Sequence, residues 1–275
     1  MNVCSNKLSL VFILILSFTI TPVFAKDVSD LETIINSQHR AESNRQRDQY
    51  RHPQKTLEFM GVKPSMSVIE IWPGKGWYTE ILAPWLKQGG GSFIAAGFPQ
   101  HVGPKWRQQM QQEYGFWLKN TPELYDQVNV IELGPPNLWT LGDDETVDAV
   151  LTFRNVHNWV KGGYADEIFT AMYRVLKPGG ILGIVDHRAK QGTDIDTMKQ
   201  SGYLTETLVI ELAQKTGFKL KAKSEINANP LDDTQHPKGV WTLPPSLRLG
   251  DNDNDKAKYL AIGESDRFLF SFVKQ

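Results

Sequence analysis

Short runs of β-branched and aliphatic residues alternate along this chain with longer stretches in which apolar residues recur at helical spacing. Such short runs are typical of strands buried on both faces of a sheet. The predicted strands are 67–71, 92–96, 128–133, 147–153, 181–185, 218–225 and 267–274. Alternation of strand and helix predicts one α/β domain, a mainly parallel sheet with helices on both faces.

Most of the segments between these strands have apolar residues at helical spacing. Helices are predicted at 53–60, 77–86, 164–175 and 203–216, and after Pro104 with Trp106, Met110 and Tyr114 at i, i+4 and i+8. Gly61 is a predicted C-cap, and Pro84 is expected to end or kink its helix. Residues 226–263 show no clear period and predict a long irregular insertion before the last strand.

The first 25 residues have the pattern of a secretory signal rather than of a folded element. Lys7 precedes an apolar run at 8–20, and small residues end at Ala25, where cleavage is expected. The alternative is a retained N-terminal anchor. The only cysteine, Cys4, leaves with the signal, so the mature protein is expected to be periplasmic or secreted, without disulfides or stable membrane insertion.

Residues 26–52 form a polar leader before the main domain, which is predicted to span 53–275. Leu31 and Ile34 predict a helix at its start, and a charged stretch follows at 40–51. Two interpretations remain open for this leader. It is either a solvated helical segment or a lid placed to cover a ligand crevice.

Composition narrows the classes of partner. The chain has 275 residues, 40% of them hydrophobic, and a formal net charge of −1. That size suits one large core, and that charge does not indicate nucleic-acid or polyanion binding. The expected partner is a small-molecule substrate, and the sequence does not fix an oligomeric state.

The stretch from strand 67–71 into the following helix has the form of a ligand loop. Two glycines, Gly74 and Gly76, allow a ligand to approach the backbone, and the helix that follows offers unpaired N–H groups. Glu70 lies at the end of the strand, where open α/β sheets bind their ligands. The alternative is a tight turn between two packed elements.

Three motifs resemble class I S-adenosylmethionine-dependent methyltransferases, over about residue 55 to the C-terminus. They are Glu70–Gly76, Val147–Thr152 and the Lys-Pro-Gly-Gly turn within Arg174–Gly180. More narrowly, the tryptophan-containing loop, Asp186–Arg188 and Gly263–Arg267 resemble an exported bacterial subgroup of predicted methyltransferases. The resemblance implies a Rossmann-like seven-stranded sheet of order 3-2-1-4-5-7-6 with the last strand antiparallel.

The resemblance also implies S-adenosyl-L-methionine as cofactor and Glu70 as the partner of its amino group. The expected cofactor-binding residues are Glu70, Trp72, Gly74, Gly76, Trp77, Tyr78, Gly97, Arg154 and Asn155. Two positions depart from the family pattern. Trp72 replaces the first glycine of the loop, and Gly97 stands where the family usually has an acidic residue for the ribose hydroxyls.

Two histidines follow adjacent predicted central strands at the same edge of the sheet. His157 comes shortly after strand 147–153, and Asp186-His187 end the next strand. Methyl transfer to a hydroxyl requires an oriented nucleophile and removal of its proton, which suits a histidine base. The predicted catalytic residues are therefore His157, Asp186 and His187, although each histidine is equally consistent with an ordinary loop residue.

The sequence thus favours a methyltransferase acting on a small oxygen or nitrogen nucleophile outside the cytoplasm. One alternative is a catalytically inactive small-ligand-binding protein of the same fold, suggested by Trp72 and the missing ribose acid. A metal-dependent hydrolase using His157, Asp186, His187 and His236 is a weaker alternative. No metal site is predicted, because no pair among these four residues has i, i+4 spacing and adjacent strand residues point to opposite faces.

Overall fold

The computed structural model describes Met1, residues 30–250 and residues 255–275. Apart from Met1, the predicted signal sequence lies outside the described residues. The strands are β1 Ser67–Ile71, β2 Ser92–Gly97, β3 Asn129–Glu132, β4 Val147–Phe153, β5 Leu176–His187, β6 Phe218–Ser224 and β7 Arg267–Lys274. Across these described segments, every helix is too short or too polar to span a lipid bilayer.

Helices surround the sheet on both faces. They are α1 Leu31–Asn36, α2 Glu42–Arg45, α3 Asp48–Arg51, α4 Pro53–Met60, α5 Thr79–Gly89, α6 Lys105–Lys119, α7 Pro122–Tyr125, α8 Val156–Gly162, α9 Ala165–Val175, α10 Ile195–Ser201, α11 Glu206–Thr216 and α12 Lys256–Ile262. A short 3₁₀ helix spans Gly239–Thr242. Two apolar clusters, one on each face of the sheet, form the core.

The sheet has the predicted order, β3-β2-β1-β4-β5-β7-β6. The first five strands in chain order pair in parallel, whereas β7 runs antiparallel to both β5 and β6. The Rossmann-like fold class is therefore confirmed. Since β1 and β4 lie side by side at the centre, the loops after them meet at one edge of the sheet.

Several predicted elements differ in detail. The Lys177–Gly180 turn is part of the long strand β5, because Leu176 already pairs with Val147. Helices α8, α10 and α12 were not predicted, since each is only seven residues long and offers at most one repeat of a helical pattern. Trp106, placed at helical spacing with Met110 and Tyr114, keeps 55% of its surface exposed on α6.

The leader packs against the domain and is not a solvated helical segment. Leu31, Ile34 and Ile35 are buried and join the same apolar cluster as α5. Arg40 and Arg51, in the charged stretch, are also buried. Arg40 forms a forked pair with Asp48, at 2.6 and 2.9 Å. Charge alone predicted solvation, but these side chains find partners within the fold.

Pro84 lies inside α5 and neither ends the helix nor leaves a polar group unpaired. Proline has no N–H, so the carbonyl of Glu80, one turn earlier, loses its helical partner. His39 Nε2 of the leader approaches this carbonyl oxygen at 2.7 Å, and because the oxygen only accepts, Nε2 donates. The proline thus creates the acceptor to which the leader attaches.

We expect His39→Ala to lower the free energy of unfolding by about 1–2 kcal/mol, since it leaves this carbonyl without a donor. In a Pro84→Ala background, the restored N–H of residue 84 can bond to Glu80, so the cost of His39→Ala should be roughly halved. Urea denaturation of the four proteins in this cycle measures the coupling. Additive effects would show that His39 does not replace the missing helical bond.

Candidate ligand cavity

A cavity of about 470 Å³ opens above the carboxyl ends of β1 and β4. Its size is typical of small-molecule and cofactor sites. The lining residues are Asn44, Arg47, Arg51, Glu70, Trp72, Pro73, Gly74, Lys75, Trp77, Tyr78, Met110, Phe153, Arg154, Asn155, Pro245 and Ser246. The leader, the loop after β1, the loop after β4 and the late insertion therefore all contribute walls.

Glu70 is the only carboxylate among the described residues that line the cavity. It is 3% exposed, and its Oε2 accepts a hydrogen bond from Thr79 Oγ1 at 3.3 Å. Burial raises the pKa of Glu70 to about 8, against the opposing effects of Thr79 and Arg51. The side chain is thus mostly protonated at neutral pH and becomes an acceptor for a cation that enters beside it.

Trp72 occupies a backbone conformation that favours glycine, with φ of +49°. The turn is held by Asn155 Nδ2, which donates to the carbonyls of Ile71 at 2.9 Å and Trp72 at 3.4 Å. Asn155 and the packing of the indole therefore hold Trp72 in this left-handed conformation.

The indole of Trp72 is 4% exposed and packs toward the ends of β2 and β3. Its Nε1 donates to the carbonyl of Leu133 at 2.9 Å, and the Phe98 ring lies 4.7 Å from it. Arg107 lies 4.8 Å above the indole ring. Aromatic rings thus fill the space beyond the strand ends, whereas the open volume lies over Glu70 and Gly74.

The three glycines expected at the cofactor site have different roles. A Cβ on Gly74 would meet no atom within 4 Å, so this glycine faces open space in the cavity. A Cβ on Gly76 would lie 2.6 Å from the Trp117 ring, so the absence of a side chain there permits helix packing. Gly97 is covered by Gln111 Oε1, 2.0 Å from such a Cβ, and neither Gly76 nor Gly97 lines the cavity.

Four arginines surround the single buried carboxylate of Glu264 at one end of the cavity. Arg47 Nε, Arg51 Nε and Arg267 Nη1 donate to it at 2.7, 3.0 and 3.0 Å. Arg154 Nη1 lies 3.8 Å away. Although burial opposes it, the arginines hold the pKa of Glu264 far below its usual range. Burial lowers the pKa of Arg154, and neighbouring Arg51 adds to that effect.

Trp77, another predicted cofactor residue, connects this arginine cluster to the leader. Its Nε1 donates to the carbonyl of Asn44 at 3.1 Å, and the guanidinium of Arg51 lies 4.6 Å over its ring. Tyr78 stacks on Phe153 with ring centroids 3.5 Å apart. The rings of Trp77 and Tyr78 are buried, and they line the cavity without filling it.

The predicted catalytic residues come together in a second, buried cluster. Asp186 Oδ1 lies 2.9 Å from His157 Nδ1, and Asp186 also accepts the backbone N–H groups of His157 and His187. The histidine rings are 5.0 Å apart. All three residues are at most 4% exposed, and none lines the cavity.

The surroundings distinguish the two histidines. A carboxylate only accepts, so His157 Nδ1 donates to Asp186 and Nε2 keeps a free lone pair. His187 Nδ1 lies 2.5 Å from Ser265 Oγ. Burial first, and then His157, lower the pKa of His187 well below its ordinary value. His157 is therefore the better placed base, and it lies three residues after Arg154 of the cavity wall.

The same geometry bears on the alternative of a metal site formed by the two histidines, Asp186 and His236. Ligand atoms of His157, Asp186 and His187 lie within 4.8 Å of one another. Asp186 and His187 are both buried because α8 and the Ser265 segment cover the two faces of the strand end, so alternation does not separate them. His236 belongs to a different group, with Asp232 and Asp233.

Sequence reasoning missed the arginines of the leader and Glu264 as parts of this site. Arg47 and Arg51 lie in a charged stretch that has no local pattern of burial. Glu264 belongs to the Gly263–Arg267 motif, which the resemblance singled out without a role. The sequence features that could have indicated these residues are that motif and the charge of the leader.

Comparisons with known proteins place the fold among methyltransferases. No family model and no curated protein sequence matches the chain. A SAM-dependent methyltransferase from Aquifex aeolicus superimposes with a TM-score of 0.55 at 17% identity, covering 90% of this chain and 100% of that one. A geranyl diphosphate methyltransferase in complex with SAM gives 0.55 at 12% identity, covering 89% and 95%.

The same fold also accommodates other chemistry. SpnF, described as a cyclase, superimposes with a TM-score of 0.57 at 15% identity, covering 87% of this chain and 84% of that one. At these identities the likeness shows the architecture, and the reaction has to be inferred from the site. The narrower resemblance to an exported subgroup stays a prediction.

Proposed function

We propose that this protein is an S-adenosylmethionine-dependent methyltransferase acting on a small oxygen or nitrogen nucleophile. The observation that carries the proposal is the cavity over Glu70 and Gly74, at the carboxyl end of the first central strand of a methyltransferase-type fold. Action outside the cytoplasm rests on the predicted signal sequence alone.

The residues present fit the amino-acid portion of this cofactor. Glu70 would accept hydrogen bonds from the ammonium group, and open space at Gly74 allows close approach to the backbone. Trp72 and Met110 supply apolar lining of the cavity. When bound, the cofactor supplies an electrophilic methyl group on a sulfonium centre.

For the acceptor, we propose His157 as the general base and Asp186 as the group that orients it. Asp186 fixes the tautomer that leaves His157 Nε2 able to take a proton. Trp241, 5.9 Å from the His157 ring, belongs to the same segment as Pro245 and Ser246 of the cavity wall. Residues 241–246 therefore cover His157, and displacement of this segment would connect His157 to the cavity.

Calorimetry with the mature protein tests the cofactor assignment. We expect S-adenosylhomocysteine to bind with a Kd of about 1 mM or lower, which corresponds to a binding free energy of roughly −4 kcal/mol or stronger. Leu231→Ala, at an exposed position away from the cavity, is the control. If neither S-adenosylmethionine nor S-adenosylhomocysteine produced heat of binding, the proposal would be refuted.

His157→Gln tests the base once an acceptor is found by screening. General-base catalysis typically contributes about 10²–10⁴-fold, so kcat should fall by at least 100-fold. Affinity for S-adenosylhomocysteine should stay within about twofold, since His157 does not line the cavity. Unchanged kcat with an oxygen nucleophile would exclude the base role.

One observation favours a second candidate, a binding protein of the same fold without transfer chemistry. The indole of Trp72 and the ring of Phe98 fill the space at the ends of β2 and β3. Gln111 covers Gly97, where an acidic residue for a ribose would stand. A retained ligand other than S-adenosylmethionine, identified by mass spectrometry of protein purified without added ligand, would support this candidate.

A further inference from the structure

The end of the cavity nearest the leader carries more positive than negative charge. One carboxylate, that of Glu264, faces the guanidinium groups of Arg47, Arg51, Arg154 and Arg267. Lys75, an exposed side chain, also lines the cavity. Glu70 does not compensate, because it is mostly protonated at neutral pH. Like charges gathered in a buried site are costly unless a counter-charge is present.

Two of these arginines also hold unused hydrogen-bond donors. Arg47 Nη2 and Arg51 Nη2 are buried and have no partner among the described residues. Arg51 as a whole is 5% exposed, and both side chains line the cavity. A buried donor of a charged group without a partner is expensive, so this geometry is typical of a site that a ligand completes.

Arg267 shows what a structural arginine looks like in the same cluster. Its three nitrogens donate to Ser265 O, Glu264 Oε2 and Tyr50 O at 3.1, 3.0 and 2.6 Å. It does not line the cavity. The unused donors of Arg47 and Arg51 are therefore specific to the side of the cluster that faces the open volume.

We propose that the methyl acceptor carries a carboxylate or phosphate group, bound by Arg47, Arg51 and Arg154. This inference rests on the proposed methyltransferase function. With the ammonium of S-adenosylmethionine paired with Glu70 and its sulfonium offset by its own carboxylate, the cofactor leaves the excess positive charge of the arginines without a counter-charge. An anionic acceptor supplies the missing counter-charge, and a forked guanidinium matches the paired oxygens of either group.

Calorimetric titration with inorganic phosphate and with malonate tests the proposal, at constant ionic strength because screening weakens charge pairs. Each anion is titrated into the protein alone and into the protein saturated with S-adenosylhomocysteine. Arg47→Gln and Arg47→Lys are compared with Arg45→Gln, which removes a neighbouring surface arginine paired with Glu42. Thermal denaturation of each variant verifies that it is folded.

We expect at least one anion to bind in both titrations, and Arg47→Gln to weaken its binding about ten- to a hundredfold. Arg47→Lys should lose less, and Arg45→Gln should change affinity by less than about twofold. Loss of anion binding when S-adenosylhomocysteine is present would overturn the proposal, because the arginines would then serve the carboxylate of the cofactor.

Two further results are informative. If neither anion binds, or if Arg47→Gln and Arg45→Gln behave alike in folded proteins, the anion subsite does not exist. If an anion binds in an Arg47-dependent way while S-adenosylhomocysteine does not bind, the methyltransferase proposal fails and the assignment of the anion to a methyl acceptor fails with it. The two failures are therefore distinguishable.

Discussion

Glu70→Gln is expected to raise the free energy of unfolding at pH 8 by roughly 2–4 kcal/mol. Burial raises the pKa of Glu70 from its usual 4.5 to about 8. Between these two values the folded protein binds a proton that the unfolded chain has lost. Wild-type stability therefore falls as the pH rises through this window, whereas an uncharged amide of the same shape does not titrate.

Urea denaturation of both proteins from pH 5 to pH 8.5 measures this difference. His187 has a lowered pKa, which makes stability rise up to about pH 6.5, so the interval from 6.5 to 8 isolates Glu70. The titratable and charged groups that influence Glu70 are Arg51, Tyr78 and Tyr114, and both tyrosines have raised pKa values. A difference that does not depend on pH would contradict the burial of an unpaired carboxyl.

The matched control is Glu80→Gln. Glu80 is also buried, but its carboxylate lies 3.6 Å from Arg40 and accepts the N–H of Ala41. Removing that charge leaves Asp48 as the remaining carboxylate beside the buried guanidinium of Arg40, so this variant should be destabilised rather than stabilised. The stabilised Glu70→Gln variant should bind S-adenosylhomocysteine about ten- to a hundredfold more weakly, because an amide lacks the charge that pairs with an ammonium.

Trp72→Ala is expected to lower the free energy of unfolding by about 3–5 kcal/mol, since it removes a buried ring and leaves a cavity. Trp72→Gly should be more stable than Trp72→Ala by up to about 1 kcal/mol, because φ at this position is +49°. This order is the reverse of the one found in helices, where glycine is worse than alanine. Chemical denaturation of the two variants gives the comparison.

Trp159 provides the control for this pair. It is fully buried like Trp72, but it lies within helix α8. Here Trp159→Gly should be less stable than Trp159→Ala by about 1 kcal/mol. If Trp72 showed the same order as Trp159, the backbone at the loop after β1 would not depend on a left-handed residue.

The Trp72 variants also separate the two candidate functions. A methyltransferase that uses Trp72 as a wall of its cofactor site should bind S-adenosylhomocysteine more weakly when the ring is removed. A binding protein in which Trp72 blocks the nucleoside should instead gain affinity for it. Calorimetry with Trp72→Gly, compared with Trp159→Gly at similar stability, decides between these outcomes.

Much of the fold is encoded in local sequence. Pro53 and Gly61 bound helix α4 as predicted, since proline suits a first turn and glycine adopts the left-handed cap. The strand at Ser67–Ile71 arises from its continuous β-branched residues. Local sequence does not explain Pro84, because only the distant His39 accounts for the continuation of the helix through this proline.

The same division holds at the candidate site. The sequence by itself determined the strands and the loop containing Glu70 and Gly74. The convergence of His157 with Asp186 and His187 followed from the residues at the carboxyl ends of two strands and from the strand order that the family resemblance implies. Tertiary structure alone decided which charges meet: Arg51 and Glu264 are 213 residues apart. Periodicity and caps act over a few neighbouring residues, whereas burial and charge pairing depend on segments that only folding brings together.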